Sequence, residues 1–485
     1  MSFPAVNYSL LVPSLIVCGT GLLAMVLVPF LSEKRQHFIG HVSWIGLAVA
    51  LIAVTEQVGK NLSTLDGMFL ADNFSQFFNG IFLIGSIITI FTSLDYLKRK
   101  ENDHGEYYPL ILFATYGMMV MASTANLLVI FLGLEIMSVS LYVLAGFART
   151  ELRSTEASIK YFLLGAFATG FTVFGIAFLY GATGTFEVSG IVKSIAQAAA
   201  VPDAYLVIGG ALLIIGLGFK IAAVPFHMWA ADAYEGAPSP ITGFMSAGPK
   251  AAAFAALLRV FCFGFADLHA HLGTLFWILA VATMTVGNVM ALRQNNIKRM
   301  LAFSSIAHAG YIMIALVVGN AESASAAALY LLCYAVTNLG AFIVISLVDS
   351  TETHADITAI NSYAGLARRR PYLGIAMTLF LISLAGFPPT AGFMGKFILF
   401  KAAVMQGYYA IVVIAVLNSL VSVYYYLRVV VKMFMADPEE RQLTVPALSP
   451  VALVGLVFTV AALFVIGIYP QGWFPFSGLT VYSIN

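Results

Sequence analysis

Four ionisable side chains lie deep inside long apolar segments of this 485-residue sequence: Glu135, Lys220, Lys250 and Lys396. Lys250 lies about twelve residues into its segment, roughly 18 Å at 1.5 Å per helical residue. A charge at the centre of a membrane helix costs about 2.5–3.5 kcal/mol. We therefore expect these four side chains to face a hydrated interior, and some of them to pair.

Lysine and glutamate in such an environment have the chemistry of a proton relay. Burial in a low-dielectric medium lowers the pKa of a lysine and raises that of a glutamate, by up to several units. A buried lysine can then take up and release a proton near neutral pH, and a nearby carboxylate changes its proton affinity in steps. The alternative interpretation is a fixed internal salt bridge that only orients helices.

Two histidines are placed near these groups. His308 lies in the run SSIAHAGYIMIAL, and His227 follows Pro225 by two residues. Unperturbed imidazole titrates near pH 6.5, and its two nitrogens allow it to accept a proton on one side and release it on the other. Each histidine is a candidate relay residue, and the alternative for each is a structural hydrogen bond to a neighbouring backbone group.

The composition places these residues in a membrane protein. The chain is 60% hydrophobic and 10% charged, with a mean hydropathy of +0.92, whereas soluble domains contain about one quarter charged residues. Apolar runs of about 20 residues, the length that spans a bilayer, recur from end to end. The sequence therefore predicts an all-α polytopic membrane protein with a single membrane domain, residues 1–485.

Several other classes are disfavoured by the same sequence. The basic residues are dispersed rather than clustered in a patch, which argues against a nucleic-acid partner. Cys18, Cys262 and Cys333 are far apart and form no motif with histidine, so we expect neither disulfides nor a metal or iron–sulfur site. The first basic residue, Lys34, follows the first apolar run, so that run is expected to be a retained span rather than a signal peptide.

The apolar runs predict about fourteen transmembrane helices. Their approximate limits are 8–31, 38–58, 73–97, 107–122, 126–147, 157–181, 204–231, 238–263, 271–291, 299–319, 325–348, 371–406, 408–434 and 447–469. The boundary between the fourth and fifth spans, near Ser123–Ala125, is the weakest of these.

The basic residues predict the orientation of the spans. Sixteen lysines and arginines follow odd-numbered spans, and only Lys60 and Lys193 follow even-numbered ones. This bias places the ends of the odd-numbered spans in the cytoplasm and both chain termini on the non-cytoplasmic side. Arg259, Lys401 and Arg428 lie within spans but nearer their ends, where we expect long side chains to reach the interface.

Proline interrupts two of the spans close to a buried lysine. Pro225 follows Lys220 in span seven, and Pro388 and Pro389 precede Lys396 in span twelve. Proline breaks helical hydrogen bonds, and irregular backbone at membrane depth survives only when it is buried in protein or lines a wet cavity.

Broken helices at matching positions are typical of inverted repeats. We therefore expect two five-helix repeats, residues 107–263 and 271–434, the second inverted; two unrelated kinks are the alternative.

Three longer motifs carry a family resemblance: PFHMWAADAYEGAPSPITGFMSAGPKAAAF, NIKRMLAFSSIAHAGY and AGFPPTAGFMGKF. They resemble the antiporter-like (Mrp-type) family of proton-translocating subunits of NADH:quinone oxidoreductase, respiratory complex I. Within that family, GLEIMS, GPKAAAF and the lysine of GFMGKF are similar to the subunit N branch. The resemblance covers essentially all spans. One departure is Ala231, where the family often has proline before the aspartate.

The resemblance implies roles for individual residues. Glu135 would be the glutamate of helix five and Lys220 its partner in broken helix seven. Lys250 would connect the two halves from helix eight, and Lys396 would be the terminal lysine of broken helix twelve. Glu156 and Lys160, in STEASIKYF, would serve proton entry or coupling between subunits.

The resemblance also implies a function. We expect a non-redox, proton-translocating subunit that holds no cofactor, in the inner membrane of a bacterial cell. Its partners would be the other membrane and peripheral subunits of the complex, including neighbouring antiporter-like subunits, together with lipids and protons. The alternatives are a subunit of an Mrp-type cation/proton antiporter and a structural membrane subunit of a related, ferredoxin-fed complex.

Overall fold

The computed structural model describes residues 6–32, 35–197, 204–349, 358–437 and 449–470. Lys34, Arg441 and both chain ends, which enter the predicted orientation, lie outside these ranges. Within them the chain forms nineteen α-helices. Their bounds are α1 Tyr8–Leu27, α2 His37–Thr55, α3 Asn73–Arg99, α4 Tyr107–Ala122, α5 Leu127–Ala145, α6 Leu152–Thr183, α7 Val188–Gln197, α8 Ala204–Lys220, α9 Met228–Gly236, α10 Ser239–Leu258, α11 Ala266–Leu292, α12 Ile297–Ile312, α13 Ile314–Val318, α14 Ala321–Val348, α15 Leu366–Arg369, α16 Pro371–Ala385, α17 Ala391–Met405, α18 Tyr409–Met435 and α19 Pro450–Ile468.

The predicted all-α polytopic membrane fold is confirmed. In the described part of the chain, eleven helices are long and apolar enough to cross a bilayer. Three shorter apolar helices, α4, α8 and α16, lie within further predicted spans. The total of fourteen transmembrane helices stays a prediction.

Both predicted helix breaks are present. The helix of span seven stops at Lys220 and resumes at Met228, and that of span twelve stops at Ala385 and resumes at Ala391. Gly386 ends α16 with a left-handed φ of +94°, a conformation that glycine adopts without steric cost. The breaks explain why α8 and α16 are shorter than a full span.

Two matching isolated β-bridges, each at the start of a helix, support the proposal of an internal repeat. Asn126 caps the first turn of α5 and pairs with Glu187, and Asn296 caps α12 and pairs with Ala359, each through an isolated antiparallel bridge. The flanking backbone bonds match as well. Beside the first bridge, Leu127 N donates to Phe186 O at 2.9 Å and Val188 N to Ala125 O at 3.0 Å. Beside the second, Ile297 N donates to Thr358 O at 2.7 Å and Ile360 N to Asn295 O at 2.8 Å. Helices α5 and α12 correspond to spans five and ten, the same offset as the two broken spans.

Three segments form the centre of the bundle. The segment Ser239–Gly264 is 94% buried over its most apolar window, Ile297–Val318 is 100% buried and Ala321–Val348 is 94% buried, against 28% for Tyr409–Met435. Peripheral helices expose apolar side chains, as expected for surfaces that face lipid or partner helices. Lys250 and His308 therefore lie on central helices.

A short hairpin that the sequence did not predict precedes α3. Strands β1, Leu62–Thr64, and β2, Phe69–Ala71, pair antiparallel with Leu62 opposite Ala71. The hairpin is joined to the end of α4 by a bond from Leu70 N to Ser123 O of 2.8 Å. It leads directly into Asp72, which caps the first turn of α3 through Ser75.

Arg259 does not reach an interface, so the expectation for it was wrong. Its side chain is fully buried and forms a bidentate ion pair with Asp72, with Nη1 to Oδ2 at 2.8 Å and Nη2 to Oδ1 at 3.0 Å. Nη2 also donates to Ala122 O at 2.8 Å, and the guanidinium lies 4.6 Å from the centre of the Phe74 ring. The pair is possible because Asp72, although outside the predicted spans, is folded against the end of α10.

Replacing Asp72 with asparagine should destabilise the protein by about 3–5 kcal/mol, because it leaves the charge of Arg259 buried and uncompensated. Asparagine can still cap the amide of Ser75, so the loss reports on the ion pair. Thermal and denaturant unfolding of detergent-solubilised protein would measure it. The control is Arg368→Met in the exposed pair with Asp437, which should change stability by about 1 kcal/mol or less. Equal effects of the two substitutions would contradict a structural role for the buried pair.

Candidate functional site

Lys220 ends the first half of the broken span and lies in an aromatic cage. Its side chain is buried, and Nζ donates to the hydroxyl of Tyr142 at 3.0 Å. The same Nζ lies 4.9 Å from the centre of the Tyr142 ring and 5.2 Å from that of Tyr161. Ring faces attract a cation, so the cage itself stabilises a charged amine through neutral groups.

Glu135 lies on α5 and is half-buried. Thr169 Oγ1 donates to its Oε1 at 2.8 Å. Among the described residues no ion pair joins Glu135 to Lys220. Tyr142 lies seven residues, two helical turns, beyond Glu135 on the same face of α5. Its hydroxyl accepts the bond from Lys220, so Tyr142 lies between the two charged residues.

The broken segment after Lys220 is held by bonds that replace helical ones. Trp229 Nε1 donates to the carbonyl of Phe219 at 3.0 Å, and the amide of Val224 donates to Thr283 Oγ1 at 3.0 Å. Pro225 is exposed. The carbonyl of Phe219 and the amide of Val224 thus have partners within the protein, as backbone at membrane depth requires.

His227 is separate from the buried lysines. It is half-buried at the start of α9, and its Nδ1 has no hydrogen-bond partner. In the part of the chain that the structure describes, no hydrogen bond joins His227 to a lysine. The geometry therefore does not bring this predicted relay residue together with the others.

Lys250 lies at the centre of the bundle on α10. Nζ donates to the carbonyl of Ser305 at 2.6 Å and also contacts Ser305 Oγ. The ring of Tyr334 is centred 5.7 Å from Nζ, and the hydroxyl of Tyr234 lies 3.4 Å from Ser305 Oγ. The lysine is buried among hydroxyl and carbonyl groups rather than beside a carboxylate.

His308 continues this cluster on α12, one turn beyond Ser304. Its Nδ1 lies 2.9 Å from the hydroxyl of Tyr330, and its Nε2 lies 3.2 Å from that of Tyr426. The Tyr426 hydroxyl also bonds Ser304 Oγ. Ser304 adjoins Ser305 in the chain, so hydroxyl groups lie on the side of Nε2 that faces Lys250, whereas Nδ1 bonds Tyr330.

Lys396 occupies the second broken helix. Nζ donates to the carbonyls of Leu384 and Ala385, both at 3.0 Å, and to Ser419 Oγ at 2.8 Å. The carbonyls belong to the last turn of α16, where a helix leaves acceptors unpaired. The break thus supplies the acceptors that satisfy the buried ammonium.

A cavity opens beside Lys396 toward the surface of α17 and α18. Its volume is about 600 Å³. Its lining is mainly apolar, with Phe393, Phe397 and Val423 among it, and Lys396, Lys401 and Ser419 are its polar side chains. The cavity gives this end of the polar cluster an opening through the side of the bundle.

Glu156 and Lys160 belong to a network of charges at the predicted cytoplasmic end. Lys160 Nζ lies 2.6 Å from Glu156 Oε1 and 2.7 Å from Asp232 Oδ2. Arg299 Nη1 bridges Asp232 Oδ1 and Glu235 Oε2, each at 2.7 Å. The network joins α6, α9 and α12, and sequence reasoning did not single out Asp232, Glu235 or Arg299 as a cluster.

Tyrosines are the other residues that sequence reasoning missed. Tyr142, Tyr234, Tyr330 and Tyr426 contact the lysines, His308 or the serines between them. A signal was present, because each is a hydroxyl-bearing side chain inside or beside an apolar run and a buried tyrosine hydroxyl usually finds a partner. Hydropathy counts such a ring as apolar and conceals it.

The comparisons with known proteins agree with one another. The family described as "NADH:quinone oxidoreductase/Mrp antiporter, TM" matches residues 124–422. "NADH-quinone oxidoreductase subunit N" of Trichlorobacter lovleyi is 48% identical over 97% of this chain and 96% of the relative. "NADH-quinone oxidoreductase subunit N 2" of Roseiflexus castenholzii is 43% identical over 96% and 95%.

Solved structures of multi-subunit complexes contain similar chains. One in respiratory complex I from Thermus thermophilus has a TM-score of 0.82 at 35% identity, over 96% of this chain and 98% of that chain. One in an archaeal membrane-bound sulfane sulfur reductase has a TM-score of 0.84 at 26% identity, over 98% and 97%. One in an Mrp complex from Dietzia sp. has a TM-score of 0.84 at 22% identity, over 99% and 98%, a likeness of fold.

Replacing Gly392 with alanine should disturb the second break. The new Cβ would overlap the backbone carbonyl of Ser383, whose hydroxyl accepts from the Gly392 amide at 3.0 Å. We expect a loss of about 1–3 kcal/mol or more, since backbone cannot yield as a side chain does. Thermal unfolding would measure it.

The matched control is Gly170→Ala in α6, where a Cβ meets no atom within 4 Å. Alanine is the better helix former, so this substitution should be neutral or stabilising by up to about 1 kcal/mol. A Gly392→Ala protein as stable as the control would contradict the tight packing of the break.

Proposed function

This chain belongs to the NADH:quinone oxidoreductase/Mrp antiporter family of membrane proteins, in its subunit N branch, and from that premise we propose that it translocates protons within an NADH:quinone oxidoreductase. The observation that carries the proposal is the burial of Lys220, Lys250, His308 and Lys396, each bonded to hydroxyl or carbonyl groups. Such groups can exchange a proton without leaving a charge unsolvated.

The proposed relay uses hydroxyl groups between the amines. From Lys250 a proton passes to Ser305 and on to Ser304, its neighbour in the chain, and then through the Tyr426 hydroxyl to His308. Lys250 bonds Ser305, Ser304 bonds Tyr426, and Tyr426 lies 3.2 Å from His308. Tyr311 lies between His308 and Lys396. The centre of its ring is 5.7 Å from that of His308 and 5.3 Å from Lys396 Nζ. Enclosed water completes the intervals between these groups.

Glu135 is proposed to control Lys220. Two charges in a medium of low dielectric interact over longer distances than they do in water. When the carboxylate lies close, it stabilises the ammonium form of Lys220; when the two separate, the lysine releases its proton toward Lys250. Tyr142, between the two charges, is placed to follow such a change because its hydroxyl accepts from Lys220 at 3.0 Å.

The predicted orientation gives the relay a direction. Protons enter from the cytoplasm toward Lys220 and Lys250, near Glu156 and Lys160, and leave near Lys396. We propose His227 as a further relay candidate in the broken segment, half-buried at the start of α9 and separate from the buried lysines.

The energy is proposed to come from partner subunits. The sequence carries no haem, flavin, iron–sulfur or nicotinamide signature, so we assign electron transfer to other subunits and no cofactor to this chain. The similar chains in solved structures belong to multi-subunit membrane complexes. We propose the same for this protein, in a bacterial inner membrane, with both termini on the non-cytoplasmic side.

Recovery of an NADH-binding subunit with the purified chain would support NADH over ferredoxin as the electron donor; its absence from the intact complex would overturn that assignment.

Lys250→Met and Lys396→Met should each abolish most proton translocation through this subunit. General acid–base groups contribute about 10²–10⁴-fold to proton transfer, and methionine keeps the length of the side chain without a titratable group. Protons moved per NADH oxidised would be measured in liposomes containing the whole complex.

The control for these variants is Lys60→Met, which removes an exposed lysine and should leave the ratio unchanged. Normal assembly of each variant is checked by subunit composition. Full proton translocation in assembled Lys250→Met and Lys396→Met complexes would contradict the proposed relay and favour a purely structural role for these lysines.

A double variant tests the pairing of Glu135 with Lys220. Glu135→Gln and Lys220→Met should each lower the proton-to-NADH ratio, and the double variant should lose no more than the worse single one, because the residues act on the same step. Losses that simply add would contradict coupling. Retained translocation in an assembled double variant would overturn the proposed role of the pair.

A further inference from the structure

Helix α9 has two chemically different faces. It contains nine residues, Met228–Gly236, and lies between the first break and α10. Trp229 and Tyr234 are buried, whereas Asp232 is 30% exposed and lies in the charged network. A helix this short has little stability of its own, so the contacts on its two faces determine its position.

The outward face is held by charges from two other helices. Asp232 accepts from Lys160 of α6 through Oδ2 and from Arg299 of α12 through Oδ1, both at 2.7 Å. Arg299 also reaches Glu235 at 2.7 Å, and Asn296 donates to the same carboxylate at 3.1 Å. Asp232 is thus shared by cations from both sides of α9.

The end of α9 is held as well. Lys298 is buried and donates Nζ to the carbonyls of Glu235 at 3.0 Å and Ala237 at 2.6 Å. A cation at the carboxyl end of a helix satisfies free carbonyls and opposes the negative end of the helix dipole. Together with Arg299, this contact fastens α9 to α12.

The inward face touches the surroundings of two relay lysines. Trp229 stacks on Tyr161 with ring centres 4.3 Å apart and planes inclined by 9°, and Tyr161 faces the amine of Lys220. Tyr234 places its hydroxyl 3.4 Å from Ser305 Oγ, the group that contacts Lys250. A shift of α9 would therefore alter the neighbours of Lys220 and Lys250 at the same time.

We propose that α9 is a charge-clamped coupling segment in which Asp232 is the positioning residue. Through Trp229 and Tyr234 the segment sets the environments of Lys220 and Lys250 together. A change in charge at the cytoplasmic network loosens or tightens the clamp and so changes both lysines in concert. This inference rests on the proposed function, because it assigns a control element to the same relay.

The clamp is tested in the assembled complex with Asp232→Asn, Asp232→Glu and a matched control, Asp95→Asn. Asp95 is also 30% exposed and pairs with an arginine, Arg99, at 3.1 Å, but both residues of this pair lie on α3. Hydrogen exchange of the amides of residues 228–236 reports on the order of α9. Protons moved per NADH oxidised report on the relay.

Asp232→Asn should speed exchange in α9 by about three- to tenfold, as expected for two partly exposed ion pairs, and should lower the proton-to-NADH ratio more than the rate of NADH oxidation. Asp232→Glu should restore much of both. Asp95→Asn should leave the exchange of α9 and the ratio at wild-type values.

Unchanged exchange of α9 in an assembled Asp232→Asn complex would overturn the clamp. Faster exchange with an unaltered proton-to-NADH ratio would overturn its coupling role, while the relay itself would stand. Failure of the relay is recognised separately, by full translocation in the Lys250→Met and Lys396→Met complexes.

Discussion

The cost of placing a charged amine in a low-dielectric interior governs this structure. Each of three buried lysines directs its Nζ to oxygen atoms: Lys396 to carbonyls at the end of α16, Lys250 to Ser305, and Lys220 to Tyr142. Two of the three lie at a helix break. A break exposes carbonyls that a continuous helix would have used internally, and at Lys396 these carbonyls are the acceptors of the ammonium, whereas Lys220 bonds the hydroxyl of Tyr142.

At Arg259 the cost of burying a charge is compensated in a different way. There the buried charge faces a fixed opposite charge, Asp72, in a bidentate arrangement. A guanidinium stays protonated in proteins, and a carboxylate partner holds it in one geometry. The lysines face neutral hydroxyl and carbonyl groups, which accept a hydrogen bond without fixing the charge. This contrast separates a pair that stabilises the fold from amines that are proposed to exchange protons.

The proposed relay and the proposed clamp meet at α9. The polar groups around Lys250 and His308 lie on the central helices α10 and α12, whereas α9 is a short segment between a break and α10. Rigid central helices keep donor and acceptor distances constant, and a short segment held by charges can change position at low cost. The network of Lys160, Asp232 and Arg299 is therefore placed where a change outside the bundle could reach groups inside it.

Sequence reasoning identified the parts of the site that local chemistry reveals. Lys220, Lys250, Lys396 and His308 stand out because a titratable residue in an apolar run is costly wherever the run packs. It failed for Arg259, which was expected at an interface, and the tyrosines escaped notice because a ring that carries a hydroxyl reads as apolar. His227 lies near Lys220 in the chain, yet no hydrogen bond joins it to a lysine in the described ranges.

The sequence by itself determined the membrane class, the helical nature of the apolar runs and the two breaks, since hydropathy, helix length and proline act on neighbouring residues. Only the tertiary structure decided which groups meet. Arg259 reaches Asp72 across 187 positions of the chain, and His308 reaches Tyr426 across 118. Such contacts depend on how whole helices pack and on which face each one presents, and neither is set by the residues close by in the chain.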